Sequence, residues 1–204
     1  MERRGPFVVL DGIDGCGKST QARLLVTALE ERWDGGVLHL REPGSTAVGE
    51  ALRGLLLSRD HDLGAAVETL LFTAARRQML DEVVEPALAA GRAVICERFH
   101  PSTYAYQAVA GGLEPEAVLQ LLTQWAGEPR PDLVLVLDLS VESAGLRRGD
   151  PTDRIEDKGL KFQDRVAKGF RQYAERTPGV TLLDADGAPE AVACRVLAEV
   201  ARVL

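Results

Sequence analysis

The chain is poor in cysteine, with only three among its 204 residues. Cys16, Cys96 and Cys194 are odd in number, far apart, and without the close pairing with Cys or His that a zinc site needs. This cysteine usage is typical of a protein that remains in a reducing compartment.

Long apolar runs are also missing. No stretch approaches the roughly 20 apolar residues of a membrane span, and the apolar run after Pro6 is too brief for the core of a signal peptide. Hydrophobic residues make up 46% of the chain and charged residues 27%, as in an average globular protein. We therefore expect a cytoplasmic protein without a membrane partner, folded as one domain over residues 1–204.

Excess positive charge is absent as well. The chain has 24 Lys and Arg against 31 Asp and Glu, which gives a net charge of -7. Because nucleic-acid backbones are held by clustered Lys and Arg, a nucleic-acid partner is not expected. A small phosphorylated ligand stays possible, since a few cations and backbone N–H groups can converge on one spot.

Short apolar runs alternate with segments of helical periodicity. The apolar runs cover residues 7–10, 37–40, 93–96, 133–137 and 180–183, and the periodic segments cover residues 20–32, 65–90, 115–125 and 189–204. This alternation predicts an α/β fold with a mainly parallel five-stranded sheet flanked by helices on both faces. The polar segment 147–161 lacks such a pattern, and we expect it to be a mobile lid.

The strongest motif lies between the first predicted strand and the first predicted helix. It reads Gly12-Ile13-Asp14-Gly15-Cys16-Gly17-Lys18-Ser19 and fits the P-loop pattern G-x-x-x-x-G-K-[ST]. Its glycines let backbone N–H groups point at phosphate oxygens, while the following helix adds its positive end. Lys18 would reach the β- and γ-phosphates, and the Ser19 hydroxyl would complete a Mg²⁺ shell. The motif predicts ATP binding by residues 12–20, with Thr20 as the last of them.

A P-loop indicates the ligand but not the reaction. Guanine-specific switch proteins need an Asn-Lys-x-Asp segment, and this sequence contains no asparagine. That class is excluded, so the rest of the chain must distinguish ATP-dependent kinases from proteins that only sense ATP.

Four further segments, in this order and spacing, resemble those of the thymidylate kinases. They are Arg41-Glu42-Pro43-Gly44, Leu71-Phe72-Thr73-Ala74-Ala75-Arg76, Glu97-Arg98-Phe99-His100 and Asp153-Arg154-Ile155-Glu156. With the P-loop they extend the resemblance over residues 7–190. It implies a P-loop kinase fold, a homodimer of single-domain chains, and transfer of the γ-phosphoryl group of ATP to dTMP with Mg²⁺. A related kinase for another nucleoside monophosphate or deoxynucleoside, and a non-catalytic ATP sensor, remain the alternatives.

The resemblance assigns a nucleoside pocket to residues of two helices. Phe72 would stack on thymine and Arg76 would bond its carbonyl, four residues apart on one helix face. Tyr106 would stand under the sugar where a 2′-hydroxyl would lie, with Ser102 and Gln107 facing the base. Without the resemblance, the residues alone favour ordinary core packing for Phe72 and a solvated charge for Arg76. The alternative for Ser102 and Tyr106 is a polar helix start with a half-buried tyrosine.

The resemblance also assigns phosphate and metal contacts. Arg98 would bridge the donor and acceptor phosphates and act in catalysis with Lys18. Arg53 would bind the acceptor phosphate, with Arg41 as its rival for that role. Asp14 would hold the acceptor 3′-hydroxyl and the Mg²⁺ environment.

One position of this chain varies among members of the family, and two others depart from the residue that the family usually has. Some members carry a catalytic Arg directly after the P-loop acid, whereas Gly15 stands here, so this chain resembles those that supply arginines from the lid. Arg147, Arg148 and Arg154 are the candidates for that catalytic role. Glu97 stands where the family usually has Asp, as a predicted metal ligand through water, and Ser45 stands where a second Gly is commoner.

Overall fold

The computed structural model describes residues 4–149 and 153–204. Its strands are β1 (Phe7–Gly12), β2 (Val37–Arg41), β3 (Ala93–Glu97), β4 (Leu133–Asp138) and β5 (Val180–Asp184). They form a parallel sheet with the order β2-β3-β1-β4-β5. The predicted five-stranded parallel sheet is confirmed, and each predicted strand lies inside an observed one.

Helices fill the connections between the strands. They are α1 (Lys18–Glu30), α2 (Ala47–Leu57), α3 (Ala65–Met79), α4 (Glu85–Ala89), α5 (His100–Thr103), α6 (Pro115–Ala126), α7 (Val141–Arg147), α8 (Leu160–Arg176) and α9 (Pro189–Val200). π-Helical turns at Leu80–Val84 and Tyr104–Val109 continue α3 and α5, and a 3₁₀ turn at Glu156–Lys158 precedes α8. Across residues 4–149 and 153–204, no helix combines the length and apolarity needed to cross a bilayer.

Alternate residues of β1 face two different layers of helices. Val8 and Leu10 belong to a core that includes Leu25 of α1 and Val196 of α9. Residues of the opposite face, such as Val9, pack in a second core with residues of α3, α4 and the π-turn between them. A strand that is buried on both faces needs apolar residues throughout, which explains why the run at residues 7–10 shows no alternation.

The strand order places the P-loop beside the end of β3. β1 lies between β3 and β4 in the sheet. The connection after β1 leads toward the β2 edge of the sheet, whereas the connection after β3 leads toward the β5 edge, so the direction of winding reverses between these two neighbouring strands. Such a reversal leaves a crevice at the carboxyl ends of the strands, where open α/β sheets bind ligands. Gly12 ends β1 and Glu97 ends β3, so the P-loop and the Glu97-Arg98 segment meet at this edge.

A buried carboxylate joins these two segments. Asp11, with no exposed surface, accepts hydrogen bonds from the backbone N–H of Phe99 at 2.9 Å and of Ser102 at 3.0 Å. Its other oxygen accepts the Ser102 hydroxyl at 2.7 Å and the Gly12 N–H at 2.9 Å. One side chain therefore fixes the start of α5, and with it the backbone of Arg98, relative to the P-loop.

Replacing this carboxylate should destabilise the fold strongly. Asp11→Ala leaves several buried donors without a partner, so we expect the free energy of unfolding to fall by about 3 kcal/mol. Urea unfolding followed by circular dichroism measures the change. Asp34→Ala, at an exposed position after α1, is the control and should change the free energy by less than about 0.5 kcal/mol. Equal effects of the two substitutions would contradict the role given to Asp11.

Candidate active site

The P-loop curls around its lysine. Lys18, at the start of α1, is buried, and its ammonium group donates to the carbonyl oxygens of Gly12 at 2.9 Å and Ile13 at 2.8 Å. The same nitrogen lies 3.7 Å from Oδ1 of Asp14. The loop therefore holds a positive charge at its centre, next to the N-terminus of a helix, which is the arrangement that binds phosphate.

Gly15 is required by the packing of α7. It has a φ of +87°, and a Cβ built on it would collide with the carbonyl oxygen of Ala144. An arginine cannot occupy this position while α7 lies against the P-loop. The lid candidates Arg147 and Arg148 stand at the end of this same helix.

Two cavities open at this edge of the sheet. The first, the P-loop cavity, is lined by residues 14–21 and by Arg41, Glu42, Arg53, Glu97, Arg98, Arg147, Ala185, Gly187, Pro189 and Val192. The second, the α3 cavity, is lined by Asp14, Glu42, Pro43, Arg53, Leu57, Phe72, Arg76, Arg98, Ser102, Thr103, Tyr106, Gln107, Asp153 and Ile155. Asp14, Glu42, Arg53 and Arg98 line both, so two ligands bound there would meet at these four residues.

An ion pair occupies the junction of the two cavities. A guanidinium nitrogen of Arg98 donates to Oδ1 of Asp14, and the Tyr106 hydroxyl donates to Oδ2 at 2.8 Å. The second terminal nitrogen of Arg98 donates to the Ser102 hydroxyl at 3.2 Å. Arg98 has a φ of +70°, an uncommon value for a side chain other than Gly, which is typical of residues held in place at functional sites.

The charge of Asp14 is held by its neighbours. Burial alone would raise its pKa, but Arg98, Lys18, the Tyr106 hydroxyl and Arg148 together lower the pKa of this carboxyl below its ordinary value. Asp14 is therefore ionised throughout the neutral range. The three cations around it leave this end of the P-loop cavity with a positive balance.

Arg53 belongs to a group of like charges. Its Nη1 donates to the carbonyl oxygen of Pro43 at 2.9 Å. Burial and the nearby charges of Arg41 and Arg98 lower the pKa of Arg53. Cations gathered at one wall repel each other, and a bound phosphate relieves that repulsion.

Arg76 is fixed by a buried ion pair. It is 2% exposed, and its Nε and Nη2 lie within 3.0 Å of the Glu42 carboxylate, while Nη2 also donates to Oγ1 of Thr103 at 3.1 Å. Its Nη1 is buried without a partner in the described part of the chain. Arg76 lines the α3 cavity, so a ligand that reaches this nitrogen would supply the acceptor that it lacks.

Phe72 and Gln107 complete the same cavity. Phe72 is half-buried on α3 and packs at the margin of the main core. Gln107 is buried on the π-turn after α5, and its Nε2 donates to Oε2 of Glu68 at 2.9 Å. The α3 cavity thus combines an aromatic side chain with a small number of fixed polar groups, which is typical of a small-molecule site.

Ser19 and Glu97 form an oxygen-rich corner beside the P-loop lysine. The Ser19 hydroxyl lies 2.5 Å from Oε2 of Glu97, and Nε2 of His39 lies 2.9 Å from Oε1. Within the described ranges, no cluster of three or more His, Cys, Asp or Glu side chains could hold a metal unaided. The hydroxyl and the carboxylate fit a hard cation that takes its remaining ligands from phosphates and water.

The three arginines that the sequence predicted to act from the lid occupy different places. Arg147 lines the P-loop cavity and donates to the carbonyl oxygens of Ala185 at 3.3 Å and Gly187 at 3.4 Å. The charge of Arg148 acts on Asp14. Arg154 instead donates to Glu68 at 2.8 Å and to the carbonyl oxygen of Leu56 at 3.0 Å, and it lines neither cavity. The structure brings Arg147 and Arg148 to the P-loop side and leaves Arg154 on the α2–α3 side.

The sequence indicated no role for Glu42 and Thr103 of the α3 cavity, or for Glu68, which bonds the cavity residue Gln107. Glu42 lies inside the Arg41-Glu42-Pro43-Gly44 motif, but its pairing with Arg76, 34 positions away, had no signal in the sequence. Glu68 lies four residues before Phe72 on the same helix face, which was a signal of proximity. Thr103 carries no sequence signal of its role.

Ser45 adopts the backbone conformation that glycine favours. Its φ is +68°, and its hydroxyl donates to the carbonyl oxygen of Arg41 at 3.1 Å and accepts from the Arg41 N–H at 3.2 Å. These two bonds hold the loop in the left-handed conformation without glycine. The departure from the family pattern is therefore accommodated locally.

The ionised Asp14 should stabilise the fold in a pH-dependent manner. Since its pKa is lowered in the folded state, its contribution is complete above the unfolded pKa, near 3.8, and is lost as the pH falls below it. We expect wild type to exceed Asp14→Asn by about 2 kcal/mol in free energy of unfolding at pH 7, with the gap narrowing below about pH 4. Urea unfolding of both proteins from pH 3 to 7 measures it. A gap that widens on acidification would contradict the assignment.

Comparison with known proteins places the chain in a family. Residues 10–196 match the model of the family described as thymidylate kinase. A thymidylate kinase of Synechococcus sp. (strain JA-3-3Ab) is 43% identical over 191 residues, which cover 93% of this chain and 92% of the relative. One of Rhizorhabdus wittichii is 39% identical and covers 98% and 99%. The solved thymidylate kinase of Ehrlichia chaffeensis superposes with a TM-score of 0.78 at 29% identity, covering 97% of this chain and 99% of that one. The chain therefore belongs to the thymidylate kinase family.

Proposed function

We propose that the protein transfers the γ-phosphoryl group of ATP to dTMP, giving ADP and dTDP. The single observation that carries this proposal is that two cavities meet at Arg98. One cavity is lined by the P-loop, and the other is lined by apolar and polar side chains suited to a nucleoside. Membership of the thymidylate kinase family supports the same reaction. Phosphoryl transfer needs positioning and charge stabilisation rather than covalent chemistry, and the site offers both.

ATP would bind in the P-loop cavity through residues 12–20. Lys18 would contact the β- and γ-phosphates, and the backbone N–H groups of the loop would surround them. Ser19 and Glu97 would hold Mg²⁺ at the phosphates, directly or through water, and the bound cation would neutralise charge that develops on the phosphate oxygens.

dTMP would bind in the α3 cavity. Phe72 offers a ring for stacking, the free Nη1 of Arg76 offers a donor for a base carbonyl, and Gln107 lies on the same wall. Tyr106, held by Asp14, would exclude a 2′-hydroxyl, and Ser102 lies beside it. A deoxyribonucleoside with a pyrimidine base suits this set of groups.

The phosphate of dTMP would then reach the shared wall of the two cavities. Arg53 lines both cavities, whereas Arg41 lines only the P-loop cavity, so Arg53 is the stronger candidate for this phosphate. Arg98 would exchange part of its contact with Asp14 for the transferring phosphoryl group and stabilise its charge as the bond to ADP breaks. Asp14, released from that contact, would accept the 3′-hydroxyl of the acceptor.

Residues 147–161, of which 150–152 lie outside the described residues, would act as the lid of this single domain. From α7, which already lies against the P-loop, Arg147 and Arg148 would reach the transferring phosphoryl group once ATP is bound. Arg154 would join them only after leaving Glu68. Closure over both substrates would exclude water and limit ATP hydrolysis.

A homodimer would form through the exposed apolar face of α3. Val67 is 47% exposed and Leu70 is 58% exposed, and Trp125 of the neighbouring helix α6 is 60% exposed. A second copy that covers these side chains would remove apolar surface from water, and it is the partner that the family resemblance implies.

An acceptor panel tests the reaction. In a coupled ADP-release assay with Mg²⁺, we expect dTMP to give the highest kcat/KM among dTMP, dUMP, dCMP, CMP, AMP and GMP. Lys18→Ala should lower kcat/KM for dTMP by at least about 10³-fold because the phosphate contact is lost. Lys168→Ala, at an exposed position on α8, should stay within about twofold of wild type.

Three results of this panel would reject the assignment. Higher turnover of CMP, AMP or GMP than of dTMP would indicate another monophosphate kinase. Tight ATP binding without ADP release for any acceptor would indicate an ATP sensor. Full dTMP turnover by Lys18→Ala would remove the P-loop from the mechanism.

The interface is tested by adding charge to α3. We expect Leu70→Asp to convert a dimer to a monomer at micromolar concentration, since a buried carboxylate without a partner opposes association. Light scattering after size exclusion measures the mass. Leu146→Asp, on α7, carries the same change at a fully exposed site and should leave the mass unaltered. A wild-type monomer, or a dimeric Leu70→Asp protein, would contradict the proposal.

A further inference from the structure

Glu68 is a buried acid in the first turn of α3, and its side chain is 1% exposed. Both of its carboxylate oxygens are used. Oε2 accepts the side-chain amide of Gln107 at 2.9 Å. Oε1 accepts Nη1 of Arg154 at 2.8 Å and the ammonium group of Lys158 at 3.1 Å. One carboxylate therefore joins a wall residue of the α3 cavity to two residues of the lid segment.

The surroundings of Glu68 keep it ionised. Burial alone would raise its pKa, but the hydrogen bonds from Gln107 and Arg154 and the charge of Lys158 lower it. An ionised carboxylate accepts hydrogen bonds and cannot donate them. Whatever group faces it must therefore be a donor.

This requirement fixes the orientation of the Gln107 amide. A glutamine side chain presents an NH₂ donor on one side and a carbonyl acceptor on the other, and only the NH₂ can face Glu68. The carbonyl oxygen, Oε1, accepts no hydrogen bond within residues 4–149 and 153–204. Because Gln107 lines the α3 cavity, this acceptor is left for the bound ligand.

Together, Arg76 and the oriented amide of Gln107 match the hydrogen-bonding pattern of one edge of a base. The free Nη1 of Arg76 supplies a donor and Gln107 supplies an acceptor on the same cavity. The imide edge of thymine or uracil presents carbonyl acceptors beside an N3–H donor and matches both. Cytosine presents N3 as an acceptor and an amino donor, so both partners would be mismatched.

We propose that Glu68 is a positioning residue for base selection, which holds Gln107 as an acceptor and ties that orientation to docking of the lid residues Arg154 and Lys158. The proposal rests on the proposed function, since it concerns the base bound in the α3 cavity. A neutral group at position 68 would accept and donate, so the amide of Gln107 could turn over and present NH₂ to the base. The lid segment would lose its anchor at the same time.

Substrate selectivity tests the first half of this proposal. We expect Glu68→Gln to lower the ratio of kcat/KM for dTMP to that for dCMP by about tenfold. Gln107→Ala should lower it similarly, and the double variant should be no worse than Gln107→Ala alone, because Glu68 acts through Gln107. Glu116→Gln, which removes an exposed partner of Arg176, is the matched control and should leave the ratio unchanged.

Limited proteolysis tests the second half without relying on activity. Trypsin cleaves after arginine and lysine, and both Arg154 and Lys158 are held by Glu68. We expect cleavage after these two residues to be about tenfold faster in Glu68→Gln than in wild type or Glu116→Gln. If Glu68→Gln does not fold, Glu68→Asp replaces it, since its shorter side chain cannot reach Gln107 and Arg154 together.

The outcomes separate this proposal from the proposed function. A wild-type enzyme that prefers dTMP, with an unchanged ratio in Glu68→Gln or additive effects in the double variant, would reject the role of Glu68 alone. A rate of cleavage after Arg154 and Lys158 that is the same in Glu68→Gln as in wild type would reject the link between Glu68 and the lid residues. A wild-type enzyme that does not phosphorylate dTMP would reject the proposed function, and the proteolysis result would still decide whether Glu68 anchors the lid.

Discussion

The site depends on one constraint, which is that the Asp14 carboxylate and the cations around it must share a small space. Lys18 and Arg98 both approach this acid, and Tyr106 donates to it from the third side. Each cation is therefore held at the phosphate-binding position before a nucleotide binds. An incoming nucleotide meets charges that are already ordered, so little reorganisation is needed when the negative charge of the phosphates arrives.

The backbone supports this arrangement from behind. Asp11 ties the segment after β3 to the end of β1, and the parallel register sets both strands at the same level. Arg98 follows directly, in a left-handed conformation that few side chains adopt. The position of its guanidinium is thus determined by main-chain geometry and not only by its ion pair with Asp14.

The elements with a strong local signal could be predicted from the sequence. Buried parallel strands require uninterrupted apolar residues, so the runs at 7–10 and 133–137 indicated strands, and the P-loop motif indicated the phosphate site. Helix α8 was not among the predicted segments, although Phe162, Val166 and Phe170 lie on its buried face. The π-turns were not predicted either, because their hydrogen-bond pattern leaves no distinct periodicity in so few residues.

Prediction from the sequence was weakest for contacts between segments that are far apart in the chain. Phe72 and Arg76 were expected to share a helix face, and both line the α3 cavity. The acids that hold the cations could not be assigned, since Glu42 pairs with Arg76 across 34 positions and Glu68 with Arg154 across 86. Such pairings are set by the packing of helices and not by local pattern. The roles of the candidate lid arginines, and of Ser19 and Glu97 in binding Mg²⁺, stay predictions for the same reason.

The contact between Gly15 and Ala144 has a consequence for how this chain could change over evolution. A basic side chain at Gly15 would need both a right-handed backbone and a displaced α7, so it cannot be acquired by one substitution. Moving α7 would in turn withdraw Arg147 from the P-loop cavity. In this chain, a steric barrier therefore separates an arginine within the P-loop from an arginine presented by α7.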